Sequence, residues 1–582
     1  MKNISKILPI TFVLFLATDV MSQQTLIKEL PASKSLDIIT EIESRQDVLA
    51  AYPIAIDKDI LFTGDTLFKI LLYENEINIS KEHLNLRDIN SFSFYGKNNT
   101  NCLLLSVINN DIQGVLTLNN HSYSIETHRG EYYLVCLDNN ALQEDCNDLN
   151  APNNQQSIDN NAQTNEVSDV EDTQSQILWN RFHDGSGDIK VLVLYTQNAA
   201  NSVSNIVNTT LLAEELSNQS FVNSGINCKI ELVYIGKTNY IETNSLSDVT
   251  YFKKRDDGYI DEVHILREKY AADVCVLLTN YNFATCGRAD TIKANDSNAF
   301  CVVQALTCAT AWYSFIHEIG HLVGCRHDYG NDVSNNPYEF GHGYINPNKT
   351  WRTIMAYGNN CNYCDRINYW SNPFVTYEGE PMGTEDRCNN VKVWNSRYYD
   401  VGTFENPSNN IAILSNTIQA TLDYGFIEAG NNIWTNGYVN LQNGQSLAIK
   451  AGSEISFYDG FLASVGSELN AFISPSSSLS YVGNPTSQLL EVTPVRQNDA
   501  NHTERITRIY PNPTTTNLQI QNKEGEIPEK ISIFNFVGEK VIADIYTNST
   551  STEISLLNIP SGIYFVDIKY KDKCERYKII KK

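Results

Sequence analysis

Short apolar runs separated by Asn- and Gly-containing turns fill the first quarter of the chain. CLLLSVI, GVLTLNNHSYSIET and YYLVCL, all within residues 102–137, have the length and composition of strands and predict a β-rich region over 23–150. The apolar positions then stop. The run APNNQQSIDNNAQTNEVSDVEDTQSQ is polar and acidic, cannot build a core, and marks 151–185 as a flexible, cleavable linker. A different rhythm follows over 186–425. IKVLVLY, KIELVYI and ADVCVLL read as buried strands; the segment from Asn198 to Val222 and DEVHILREKY read as helices. That alternation predicts an α/β layer with a mixed sheet. CATAWYSFIHEIGH, free of proline and glycine until Gly320, extends it as a buried helix. Between 426 and 475, apolar pairs broken by glycine every six to eight residues suggest small stacked β-rungs. A Ser/Pro/Asn-containing linker at 476–505 leads to 506–582, whose period-two alternation predicts a small β-sandwich. The fold class is therefore multidomain: β-rich, then α/β, then β-repeat and β-sandwich.

The chemistry is concentrated in one stretch, HEIGHLVGCRHD, which starts at His317. On a helix, residues four apart lie on one face, so His317 and His321 can present two imidazoles to one ion. Glu318 follows the first by about 100° around the axis, which sets its carboxylate beside an ion rather than on it. Gly324 is suited to end the helix in a left-handed turn and bring His327 round as a third ligand. Three neutral histidines leave a fourth position for water, the arrangement of a catalytic zinc site. The alternative is a core helix with incidental histidines, and it has no reason to produce the extended pattern HExxHxxGxxH. Two other histidines lie in the region. His342, in the loop FGHGY, could hydrogen-bond near the site, and His264 reads as a partly exposed helix residue.

Composition narrows the setting. A chain of 582 residues should hold three or four domains, and a net charge of −25 argues against a nucleic-acid partner. Two early lysines, an apolar run from Ile7 to Ala17 and small residues up to Ser22 read as a signal peptide over 1–22. No later stretch reaches about 18 apolar residues, so no membrane-spanning segment is expected in the mature protein. Export permits disulfides, and nine of the thirteen cysteines fall in 186–425. Cys361 and Cys364, lacking a second CxxC, read as a disulfide; an odd total leaves at least one thiol free or paired elsewhere.

The extended motif resembles that of the metzincin metallopeptidases. SFIHEIGHLVGCRHD, PYEFGHGY, WRTIMAYG and RINYWSNPFVTYEGEPMG together look most like bacterial reprolysin-like and peptidyl-Asp metalloendopeptidases. The resemblance implies a zinc endopeptidase acting on proteins or peptides, with Glu318 as general base and Met355 packed beneath the metal as the methionine turn. A structural calcium ion is left open. Tyr357, two residues after that methionine, departs from reprolysins and is similar to astacins and serralysins, where it can reach the zinc; a packed aromatic is the other reading. Similarity to the peptidyl-Asp enzymes raises cleavage before aspartate, with Arg352 or Arg366 as a source of positive charge. Residues 103–135 resemble a reprolysin propeptide, which implies a prodomain over 23–150 and a zymogen. Cys146 would then be a candidate thiol for the open metal position, or a disulfide partner for the unpaired cysteine. YPNP, the central FxxxGE strand and PSGIYF resemble a type IX secretion C-terminal sorting domain, implying that secretion machinery as a partner and a secreted or surface-attached product. The competing function is a catalytically inactive metzincin serving as a surface adhesin or binding module, which loss of Glu318 or a histidine would have signalled.

Overall fold

The computed structural model describes residues 24–141, 188–473 and 507–581, apart from short internal gaps. The expected signal peptide, both linkers and Cys146 lie outside the described residues.

The first region is a closed barrel of nine strands. They are β1 (Gln24–Glu29), β2 (Val48–Ile56), β3 (Leu67–Leu72), β4 (Asn75–Leu86) and β5 (Ser91–Asn98), followed by β6 (Asn101–Ile108), β7 (Asp111–Leu118), β8 (His121–His128) and β9 (Glu131–Leu137). From β3 to β9 each strand pairs antiparallel with the next. Parallel pairing of β1 with β3 and antiparallel pairing of β1 and β9 with β2 close the ring. Leu103, Leu105, Leu116 and Leu134 point into the barrel. Their neighbours Leu104, Val115, Tyr133 and Val135 point outward and are buried all the same, in the core of the next region together with Ile38, Ile39 and Ile42 of α1 (Leu36–Glu43). Burial on both faces is why these strands read as continuous apolar runs.

The second region is built on the strands β10 (Ile189–Tyr195), β11 (Ile230–Lys237), β12 (Val274–Thr279), β13 (Gly287–Ala289) and β14 (Phe300–Gln304), in the order β13-β14-β12-β10-β11. All pairs are parallel except β13, which lies antiparallel on the edge beside β14. Helices α4 (Ser245–Lys253) and α5 (Glu262–Tyr270) cover one face; α3 (Ile206–Ser224) and α6 (Ser314–Val323) cover the other. A short α2 (Gln197–Ser202) precedes α3, and α7 (Asn390–Val401) packs against α6.

Three elements differ from the sequence reading. The helix expected over 198–222 is two helices, because the side chain of Asn205 caps a new start by accepting from the backbone N–H of Val207 and Asn208. The motif helix starts only at Ser314: Cys308 is tied to Cys286 by a disulfide, and Tyr313 turns at φ 58°. His264 is buried against Phe300, not partly exposed, because its helix α5 turns that face to the sheet.

The seam expected at 425/426 falls inside a strand, Leu422–Ala429, which pairs antiparallel with β11 and so extends the same sheet. Strands Ser446–Ala451 and Glu468–Ile473 stack on it in parallel; Ile427 pairs with Ile449, and Ile449 with Ala471, a step of 22 residues. Asn432–Asn436 with Glu454–Ser456, and Val439–Leu441 with Phe461–Ala463, repeat the step on two further faces. A strand cannot end in mid-ladder without leaving its N–H and C=O groups unpaired, so the ladder overrides the change of composition. Residues 507–581 form a separate unit with one three-stranded and one four-stranded sheet around Leu518, Ile520, Ile533 and Val566.

Candidate metal centre

Helix α6 is buried along its whole length, so its polar side chains must find partners or an ion. The Nδ1 of His317 lies 2.9 Å from the carbonyl oxygen of Ile354, and that of His321 lies 2.9 Å from the carbonyl of Cys325. A carbonyl can only accept, so each bond places the proton on Nδ1 and turns a bare Nε2 to the other side. Gly324, at φ 128°, ends the helix, and the backbone N–H of both Gly324 and Cys325 return to the carbonyl of Gly320. The chain then carries His327 back, and its Nε2 lies 2.9 Å from that of His321. One nitrogen from each of His317, His321 and His327 falls within 4.8 Å of the others. Among the described residues no other cluster of His, Cys, Asp or Glu could hold a metal.

The returning loop is pinned at several points. Arg326 forms a two-pronged ion pair with Asp332 at 2.8 and 2.9 Å. His342 donates from Nδ1 to the carbonyl of His327 at 2.8 Å, which places it behind the triad rather than in it. Asp328 accepts from the backbone N–H of Tyr357 at 2.9 Å and from the amides of Asn331 and Asn360, tying the loop to the chain around Met355. Tyr357 lies with its ring centroid 3.9 Å from that of His327. Met355 and Trp370 pack beneath the helix at Gly320, where a Cβ would fall 3.1 Å from the sulfur and 2.7 Å from the indole.

Electrostatics keep the triad neutral. Burial, reinforced by the His321 imidazole and by Arg366, holds His317 well below the usual imidazole range. Burial likewise pushes His321 down to about 4 and lowers His327. Neutral imidazoles with bare nitrogens facing one another need a shared proton or a cation between them, and an all-imidazole donor set suits zinc. The residues therefore fit a metal.

Glu318 leaves the same helix toward the sheet edge and lies over Gly287 of β13, where a Cβ would meet its Oε1 at 2.7 Å. Nothing in the sequence marked Gly287, since a glycine beneath a carboxylate has no spacing signature. Arg352 and Arg366 do not line an open pocket. Both are buried and share the carbonyl of Ala356, with further bonds to the carbonyls of Cys364 and Trp312 respectively, so they brace the methionine turn. Beside them, Cys361 and Cys364 form the expected disulfide.

A three-histidine cluster with an adjoining carboxylate, on a helix packed against a mixed sheet, is an arrangement of the metzincin type. Residues 186–371 match metallo-peptidase family M12, and residues 508–582 match the secretion system C-terminal sorting domain, which marks a chain exported across the outer membrane. The peptidyl-Asp metalloendopeptidase of Stenotrophomonas maltophilia (strain K279a) is 45% identical over 211 residues, 35% of this chain and 50% of that protein. The enzyme of the same name from Pseudomonas fragi is 39% identical over 168 residues, 28% of this chain and 88% of that protein. Metalloproteinase-II from Bacteroides fragilis overlays at TM-score 0.30 with 12% identity, covering 47% of this chain and 84% of that one. The chain belongs to metallo-peptidase family M12. It spans about half the length of the Stenotrophomonas relative.

Proposed function

We propose that residues 186–425 form a zinc-dependent endopeptidase, made as a zymogen behind a prodomain at 23–150, with His317, His321 and His327 holding the metal and Glu318 as general base. The observation that carries this reading is the convergence of three neutral imidazoles within 4.8 Å beside one carboxylate. When bound, zinc lowers the pKa of water to about 7 and polarises a carbonyl. Glu318 takes the proton of the attacking water and delivers it to the leaving amine. Edge strand β13, which runs beneath Glu318, is placed to hold an extended peptide as an added strand. The carbonyl bonds to His317 and His321 fix the tautomers, and the His342 bond fixes the backbone of His327, so the ligands are oriented before substrate arrives.

The relatives' name extends the reading to peptide bonds next to aspartate. Arg352 and Arg366 bear electrostatically on His317 and supply positive charge on that side of the site. The test is digestion of a proteome-derived peptide library with activated enzyme, followed by sequencing of the cut sites, with Glu318→Gln in parallel. Cuts beside aspartate are expected, together with a loss of at least about 10²-fold in the variant at unchanged metal content. A metal-loaded wild-type chain that cuts nothing would favour the adhesin reading instead.

A further inference from the structure

The barrel shares a core with the sheet region. Tyr95, Leu104, Val115 and Val135 on its outer face belong to one continuous apolar cluster with Leu211, Leu212 and Leu216 of α3. Taken away from α3, that face would present a large apolar patch to water, which soluble surfaces rarely tolerate.

Buried polar groups bridge the same seam. Asn208, fully buried on α3, donates its amide to the carbonyls of Ser106 and Asp111 and, at 2.6 Å, to the Asp111 carboxylate. Thr209 donates to Gln113, and Gln113 donates back to Ser204 and to the carbonyl of Asn205. Thr307 sits between Arg45 and the fully buried Asp47 at 3.1 and 2.7 Å. His121 and Asn139 both reach Asp365, at 2.9 and 2.8 Å. Each group would exchange its partner for water on separation, so these bonds add a modest net hold and fix the register of the apolar face. A half-open cavity of about 560 Å³, lined in part by Arg45, Gln113, Thr209 and Thr307, follows this seam and lies away from the histidine triad. None of the described barrel hydrogen bonds falls on His317, His321 or His327.

We infer that residues 24–141 are held to the sheet region through α3 and Asp365 without need of the connecting chain, so that cutting the chain does not by itself release the barrel. Cutting the segment 142–187 yields a two-chain complex, not a freed sheet domain and a discarded barrel. The inference concerns attachment and does not depend on peptidase activity, so either can fail alone.

The experiment is to nick the full-length protein within 151–185 by limited proteolysis and pass it over a sizing column at neutral pH, identifying the fragments by mass. Co-elution is expected down to micromolar loading and below, with separation only in denaturant. Elution of the barrel as a separate species at neutral pH overturns the inference. Asp111→Ala, on the barrel side, removes the carboxylate that anchors Asn208 and should loosen the nicked complex about tenfold. Hydrogen exchange read over α3 gives a second measure: retained protection after nicking supports attachment, and exposure of α3 refutes it.

Discussion

The carboxylate of Glu318 rests on a residue without a side chain, and that gives the site a control independent of its ligands. Gly287→Ala would place a Cβ 2.7 Å from Oε1 and 2.8 Å from Cγ of Glu318, so the glutamate must swing away. Displacement by about 1 Å at a reacting centre can cost about 10²-fold in rate. The expected outcome is a kcat lower by about that factor, with metal content and melting temperature near wild type. An unchanged kcat would mean that the position of Glu318 is not set by β13. At this scale the convergence of His317, His321 and His327 was open to sequence reading, because helical spacing and the Gly324 turn are local facts. The supports were not. Asp328, Asp332 and His342 act through contacts with residues up to 32 positions away, whose register only the folded chain fixes.

At the scale of elements, α6 is shaped by what passes beneath it. Gly320 sits mid-helix, where alanine is intrinsically better by about 1 kcal/mol. Packing decides otherwise. An added methyl would meet Trp370 at 2.7 Å and the Met355 sulfur at 3.1 Å, both fully buried. Overpacking of that kind costs about 1–3 kcal/mol, so Gly320→Ala should be net destabilising despite its propensity. A denaturant midpoint that rises instead of falling would show that Trp370 can yield. The same competition explains the helix reading at 308–323. Apolar periodicity ran through CATAWYSFIHEIGH, but the Cys286–Cys308 disulfide and the Tyr313 turn hold the first half out of the helix, and a disulfide partner 22 residues away is not a local signal. The strands of 103–135 were legible as strands. That their outer faces also face a core was visible only as the absence of alternation.

On the scale of the whole molecule, composition showed where the chain changes character but not where one sheet ends. The seam placed at 425/426 lies within a ladder, since Tyr424 and Gly425 pair with β11 while Phe426 and Ile427 pair with the next rung. Attachment of the barrel is a property of the same scale, and its electrostatic part should be pH-dependent in a defined direction. His121 on β8 faces Asp365 of the sheet region, and also Cys136 of its own barrel at 3.5 Å. The hydrogen bond to Asp365, followed by that to Cys136, raises its imidazole from 6.5 to about 10. Only the Asp365 bond is lost on separation, since Cys136 stays with the barrel, so docking takes up a proton over the upper part of that range. The contribution is still complete at about pH 6.5 and is lost as pH rises through about 10. About a quarter of each side chain is exposed, so solvent screening keeps the effect modest. The nicked complex should therefore hold tightest in mildly acidic solution and loosen as pH is raised towards 10. Asp365→Asn removes the charge that raises His121, so it should weaken retention at pH 6 and flatten the profile above it. A wild-type profile that is already flat between pH 6 and 10 would show that the apolar face and the Asn208 bonds hold the barrel by themselves.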